Sequence, residues 1–334
     1  MSKKIKDTDY LAISARIKAM ENGLLTRERM EQVLEAKTGE EAVKLLQECG
    51  YPELNADDPE AMDAALSAAR EAMLADLSDG VPDPRYIDVF KLKYDYHNVK
   101  ALLKAEVMGV DPDHLLMDMG RVRAADLKEA LRSGGLDSLP PMLAAAAAEA
   151  KEILNTTRDP QLSDIALDRW YYRDMAAAAE DTGSDFLRGY VRTQIDAANL
   201  RSLVRTIRMG KNTEFLRGVL FEGGDIASSA VLAVSAGGGS GLEELYGSTC
   251  FRAAAESGAE ALRSGTLTEF EKRCDDAVGE YLAGAQYVPF GEAPLVGYLA
   301  ARETEYTNLR ILLMGRAAGL SPDVIRSRLR ASYV

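Results

Sequence analysis

EYTNLRILLMGRAAG, Glu305–Gly319, places an Asn in the middle of a strong helix-forming run. Asn is a poor interior helix residue, because its amide competes with the backbone for hydrogen bonds. The same oddity occurs twice upstream, in DYHNVKALLKAEVMG, Asp95–Gly109, and in DAANLRSLVRTIRMG, Asp196–Gly210. Aligned on Asn98, Asn199 and Asn308, the three stretches share an acid three residues earlier (Asp95, Asp196, Glu305) and a base two residues later (Lys100, Arg201, Arg310). Four residues on stands Leu102, Leu203 or Leu312, and seven on a small residue, Ala105, Thr206 or Gly315. Eleven on is always glycine, Gly109, Gly210 or Gly319.

Steps of three and four return to one side of a helix, so acid, Asn, Leu, small residue and glycine form a single stripe. The small residue admits a close neighbour, and the glycine suits a left-handed helix cap. A buried Asn is costly unless a neighbour's backbone or side chain satisfies its amide. The stripe therefore reads as a packing and register device used three times, at intervals of roughly a hundred residues. Weaker echoes, ENGLLTRERMEQVL, DMGRVRAADLKEAL and FEGGDIASSAVLAV, each place Gly and a long or branched apolar residue near a helix start. Repeat units of about 1–117, 118–217 and 218–334 follow, too long for common solenoids and suggestive of a pseudo-threefold arrangement.

The rest of the chain is expected to be helical. TRERMEQVLEAKTGEEAVKLLQEC and DPEAMDAALSAAREAMLADL combine good helix formers with apolar residues every three to four positions. The segment SSAVLAVSAGGGSGLEELYG is the one place that imitates a strand, a glycine loop and a helix start. Its glycines lack dinucleotide spacing, since Leu242 stands where a third would be required, and no Lys-Ser/Thr of a phosphate loop is present. It reads as a flexible connection between helices.

Composition bounds the function. The 334 residues are 47% hydrophobic and 28% charged, which is ample for a core, and the net charge of −13 repels phosphates and anionic lipid headgroups. Protein partners are expected, with no nucleic acid and no direct lipid anchor. The basic start MSKKIKDTDYLAISARIKAM has no continuous apolar stretch and does not read as a secretory signal. Cys49, Cys250 and Cys274 lack ligand spacing and read as reduced core thiols in a cytoplasmic protein. His97 and His114 have no second His or Cys at metal-ligand spacing. DIALDRWYYRDM gathers Asp168, Arg169, Trp170 and Tyr172 at helical spacing, which amphipathic packing explains. No catalytic, cofactor or metal site is expected.

Beyond these readings, three stretches carry a resemblance: YIDVFKLKYDYHNVKALLKA, DIALDRWYYRDM and YVPFGEAPLVGYLAARETEYTNLRILLMGRAAGLSPDVIRSRLRASYV. With its Glu303-x-Glu305-x-x-Asn308-Leu309-Arg310 core and terminal Tyr-Val, the chain resembles the C-type subunit of archaeal and bacterial V-type (A-type) rotary ATPases. In eukaryotic vacuolar proton pumps its equivalent is the d-type subunit. The resemblance implies an all-α funnel of three related bundles without cofactor or catalytic activity. It also implies the central-shaft subunits and the proteolipid rotor ring as partners, and a peripheral position on the cytoplasmic face of the membrane. A free-standing helical adaptor with a different protein partner is the competing reading.

Overall fold

A computed structural model describes residues 5–55, 58–263 and 266–334. Every regular element among them is a helix, so the fold is all-α. Two compact units emerge: one joins the residues up to Pro84 with Gly237–Val334, and the other is the continuous stretch Arg85–Ala236.

The first unit opens with α1 (Leu11–Glu21), α2 (Arg27–Glu35), α3 (Gly39–Glu48) and α4 (Pro59–Gly80). Local chemistry sets these starts. Thr26 and Thr38 accept hydrogen bonds from the amides of Arg29 and Glu41, and Asp58 accepts from Glu60 and Ala61 ahead of Pro59.

The second unit runs through α5 (Arg85–Met108), α6 (Ala124–Ser133), α7 (Pro141–Thr157), α8 (Pro160–Thr182), α9 (Asp185–Arg208), α10 (Thr213–Val219) and α11 (Ser228–Ala236). Its densest packing is between α7 and α8. The alanine run of α7 leaves Ala146, Ala147 and Ala150 fully buried, and the helices approach closely enough for Ser163 Oγ to donate to the Ala150 carbonyl at 3.1 Å.

The chain then returns to the first unit with α12 (Leu242–Tyr246), α13 (Arg252–Arg263), α14 (Thr268–Ala283), α15 (Glu292–Ala317) and α16 (Pro322–Arg326). Helix α15 is its axis, packing on α1, α4, α14 and α16. Leu295, Leu299, Leu309 and Leu312 on α15 are fully buried, and so are Ile17 of α1 and Leu77 of α4. Burial of such side chains stabilises by about 1.5–3 kcal/mol each.

The expectation of a flexible connection over 228–247 is corrected at its two ends, which are helical, while the glycines between them do connect helices. SSAVLAVSA forms α11, burying Val231 and Val234 one turn apart on a single face, and the glycines make a turn into α12. Of the three cysteines expected in the core, Cys274 is buried, whereas Cys49 is intermediate and Cys250 is exposed.

Candidate functional site

The three stripe-bearing helices are α5, α9 and α15, of 24, 24 and 26 residues. In each the acid, the Asn, the Leu and the small residue are buried, whereas the base is half-buried at Lys100 and Arg201 and exposed at Arg310. Lys100 pairs with Asp168 of α8, and Arg310 with Asp63 of α4 at 3.0 Å. Gly109, Gly210 and Gly319 end or follow the three helices with φ of 65°, 64° and 69°.

Each Asn is satisfied by the same pair of bonds. Asn98 Nδ2 donates to the Met117 carbonyl at 2.8 Å, and its Oδ1 accepts from the Met117 amide at 2.9 Å. Asn199 does the same with Phe221, both bonds at 2.8 Å. Asn308 does it with Arg330, at 3.1 Å and 2.8 Å. The carboxamide thus imitates one rung of a sheet and clamps a returning backbone segment 19 to 22 residues downstream. Net, two such bonds contribute about 2 kcal/mol, and deleting the amide strands a backbone N–H and C=O in a half-buried place. Of the two partners the sequence leaves open, backbone or side chain, each Asn takes backbone, and that backbone is a loop. At the small position, by contrast, a helix does approach. Cγ1 of Ile325 in α16 lies 2.8 Å from where a Cβ on Gly315 would stand.

The acid completes the clamp. Asp95 accepts from the Val122 amide at 3.1 Å and from Arg121 Nε at 2.8 Å. Arg121 spans to Asp174 of α8 at 2.8 Å, and Tyr96 donates to the same carboxylate at 3.2 Å. Asp196 accepts from the amides of Asp225 at 2.9 Å and Ile226 at 3.1 Å. Glu305 accepts from the Leu25 amide, the Tyr51 hydroxyl and Arg302. The Arg302 guanidinium also stacks over the rings of Tyr51 and Tyr306, at 5.3 and 5.0 Å.

These acids differ electrostatically. Asp95 and Glu305 each hold an arginine directly, whereas Asp196 is held by backbone amides, with Arg192 acting only at longer range. Burial pushes the Asp196 carboxyl up to about 6, and it also raises Asp95 above the usual carboxylate range despite Arg121.

The weak echoes are the answering loops. Asp118-Met119-Gly120-Arg121-Val122 and Glu222-Gly223-Gly224-Asp225-Ile226 carry the amides that the acids bind, and Glu21-Asn22-Gly23-Leu24-Leu25 does so for Glu305. A Cβ on Gly120 would stand 2.2 Å from Asp95 Oδ1, and one on Gly224 would stand 2.1 Å from Asp196 Oδ1. The first two glycines are therefore the close approach that lets a carboxylate reach a loop amide. Met117, Phe221 and Arg330 carry no signal in the sequence, because a clamp that reads only backbone requires no particular side chain. Tyr51 and Asp174 are brought in by tertiary packing, Arg302 stands one turn before Glu305 on α15, and Arg121 belongs to the answering loop itself.

The remaining candidates are accounted for by structure. Trp170 Nε1 donates to Glu149 at 2.7 Å, Tyr172 packs on Phe221 with centroids 4.4 Å apart, and exposed His97 contacts the Leu115 carbonyl at 2.9 Å. Among the described residues, no three His, Cys, Asp or Glu side chains are grouped to hold a metal ion, and no helix is long and apolar enough to cross a membrane.

A long all-α chain with this recurrent helix-to-loop clamp matches the family described as ATP synthase (C/AC39) subunit over residues 13–328, and the chain belongs to that family. Its members are structural, non-catalytic parts of V/A-type ATP synthases. Among the relatives, the C-type subunit of the V-type sodium ATPase of Enterococcus hirae is 25% identical over 97% of this chain and 99% of that protein. The C-type subunit of the A-type ATP synthase of Methanocaldococcus jannaschii is 27% identical over 96% of this chain and 86% of its own length. That of Haloferax volcanii is 27% identical, with 95% and 96% covered.

Proposed function

We propose that this chain is a non-catalytic central-stalk component of a V/A-type rotary ATPase, seated between the central shaft and the membrane proteolipid ring and coupling ATP turnover to proton or sodium ion transport. Membership of the ATP synthase (C/AC39) subunit family over residues 13–328 carries this reading. The clamps supply a physical rationale for it. A part that transmits torque must resist shear, and directional hydrogen bonds that tie each long helix to a returning loop resist sliding better than apolar contact alone. The related units 1–117, 118–217 and 218–334 would suit an object on a rotation axis. Net charge of −13 favours docking on protein over anionic lipid, so association with the cytoplasmic face of the membrane would run through the ring.

The test is ATP hydrolysis and ATP-driven ion uptake in vesicles reconstituted with and without the chain. Hydrolysis by the head and shaft is expected to persist without it, while ion uptake is expected to stop. Coupled uptake in its absence would overturn the reading in favour of a helical adaptor serving another partner.

A further inference from the structure

In two of the three clamps one continuous loop answers both halves. Residues 117–122 serve Asn98 and Asp95, and residues 221–226 serve Asn199 and Asp196. Either loop leaves only by breaking both halves together. The third clamp is divided: Asn308 holds Arg330, while Glu305 holds Leu25, far away in sequence. The hydrogen bonds of the Asn half are therefore separate from those that hold the Glu305, Tyr51, Arg302 and Leu25 cluster.

What Asn308 holds is an extended peptide. After α16 and one further turn, Arg330–Val334 has no helical structure, and its backbone is fastened by side chains. Asn308 takes both polar groups of Arg330, Asp276 Oδ1 accepts from the Ala331 amide at 2.7 Å, and Gln286 Nε2 donates to the Tyr333 carbonyl. Arg330 is also paired through its guanidinium with Asp275. The peptide lies in a groove of α14 and α15 that it does not fill. A cavity of about 180 Å³ remains, bounded by Asp276, Glu280, Leu282, Thr304 and the peptide itself.

The aromatic anchor is imperfect. Tyr333 reaches the notch at Gly297, where an added Cβ would lie 2.8 Å from the phenol oxygen. The hydroxyl is buried there without a hydrogen-bond partner. A buried, unmatched hydroxyl regains its hydrogen bonds on entering water, so this contact opposes its own closure.

We propose that Arg330–Val334 is a releasable strap: a peptide with one arginine and one tyrosine, bound within its own molecule in an acidic groove of α14 and α15, opening while the rest of the unit stays folded. Release bares Asp276, Glu280 and the amide of Asn308 as a ready-made site for an extended basic segment, and the strap competes for that site.

Amide hydrogen exchange on the full chain tests this, because the three clamps are internal standards for one another. The amides of Arg330 and Ala331 are expected to exchange about 100-fold faster than those of Met117 and Phe221, with Leu25 as protected as Val122 and Ile226. Tyr333→Phe, which removes the unmatched hydroxyl and keeps the ring, is expected to slow exchange at Arg330 and Ala331 roughly tenfold and leave Leu25 unchanged. Equal protection across the three Asn clamps, exchange of Leu25 in step with Arg330, or faster strap exchange in Tyr333→Phe would each overturn the proposal.

Discussion

Gly224 illustrates what the smallest residue does in this protein. Its missing side chain is the space through which Asp196 reaches two loop amides, with a Cβ excluded by an oxygen 2.1 Å away. Gly23 holds the corresponding place near Glu305, where the acid is one methylene longer; a Cβ there would meet only the Met20 carbonyl at 3.4 Å. Gly224→Ala is therefore expected to cost about 3 kcal/mol in urea unfolding, and Gly23→Ala less than about 0.5 kcal/mol. Equal costs would dissociate the glycines from the acids. Asp196 itself should leave a signature in pH. Its folded pKa of about 6 exceeds the unfolded value near 3.8, so the native state holds the extra proton between these values. Stability from this residue therefore falls as pH rises through that window, by about 3 kcal/mol in total. The melting temperature of the parent relative to Asp196→Asn should accordingly rise as pH drops from about 7 to about 4, because the amide has no proton to gain. A difference that is flat with pH would show that the carboxylate is ionised throughout.

At the level of elements, the three long helices were legible because their stripe follows the helical period, and acid, Asn, Leu and small residue do all turn inward. Their ends were legible in the glycines. Gly319, at φ 69° with no atom within 4 Å of an added Cβ, isolates the backbone contribution. Gly319→Val should lower stability by about 1–2 kcal/mol in thermal melting through left-handed strain alone. A variant melting like its parent would mean the turn rearranges at no cost. Helix α11 was not legible. Its Val231-Leu232 and Val234 imitate a strand ahead of a glycine loop, and tertiary contacts favour the helix: Ile226 is pinned by Asp196 just before it begins, and Val231 and Val234 share a buried face. The clamps were half legible for the same reason, since the Asn stands out in sequence and the backbone it holds does not.

On the scale of the whole chain, the unit Arg85–Ala236 is continuous and contains two complete clamps, whereas the other is assembled from stretches on either side of it. This division bears on biosynthesis. Helices α1 and α4 need α15 to cover them, yet some 150 residues separate the two parts. At about 5–20 residues per second the ribosome delivers α15 roughly 10–40 s after α4. Throughout that interval Ile17 and Leu77 lack the cover that α15 supplies, while Arg85–Ala236 already possesses every residue its own core requires. The order of completion is thus the reverse of the order of translation. Helices α1 and α4 leave the ribosome before Arg85–Ala236 yet find their place after it, and they are the natural clients of a chaperone that shields apolar surface.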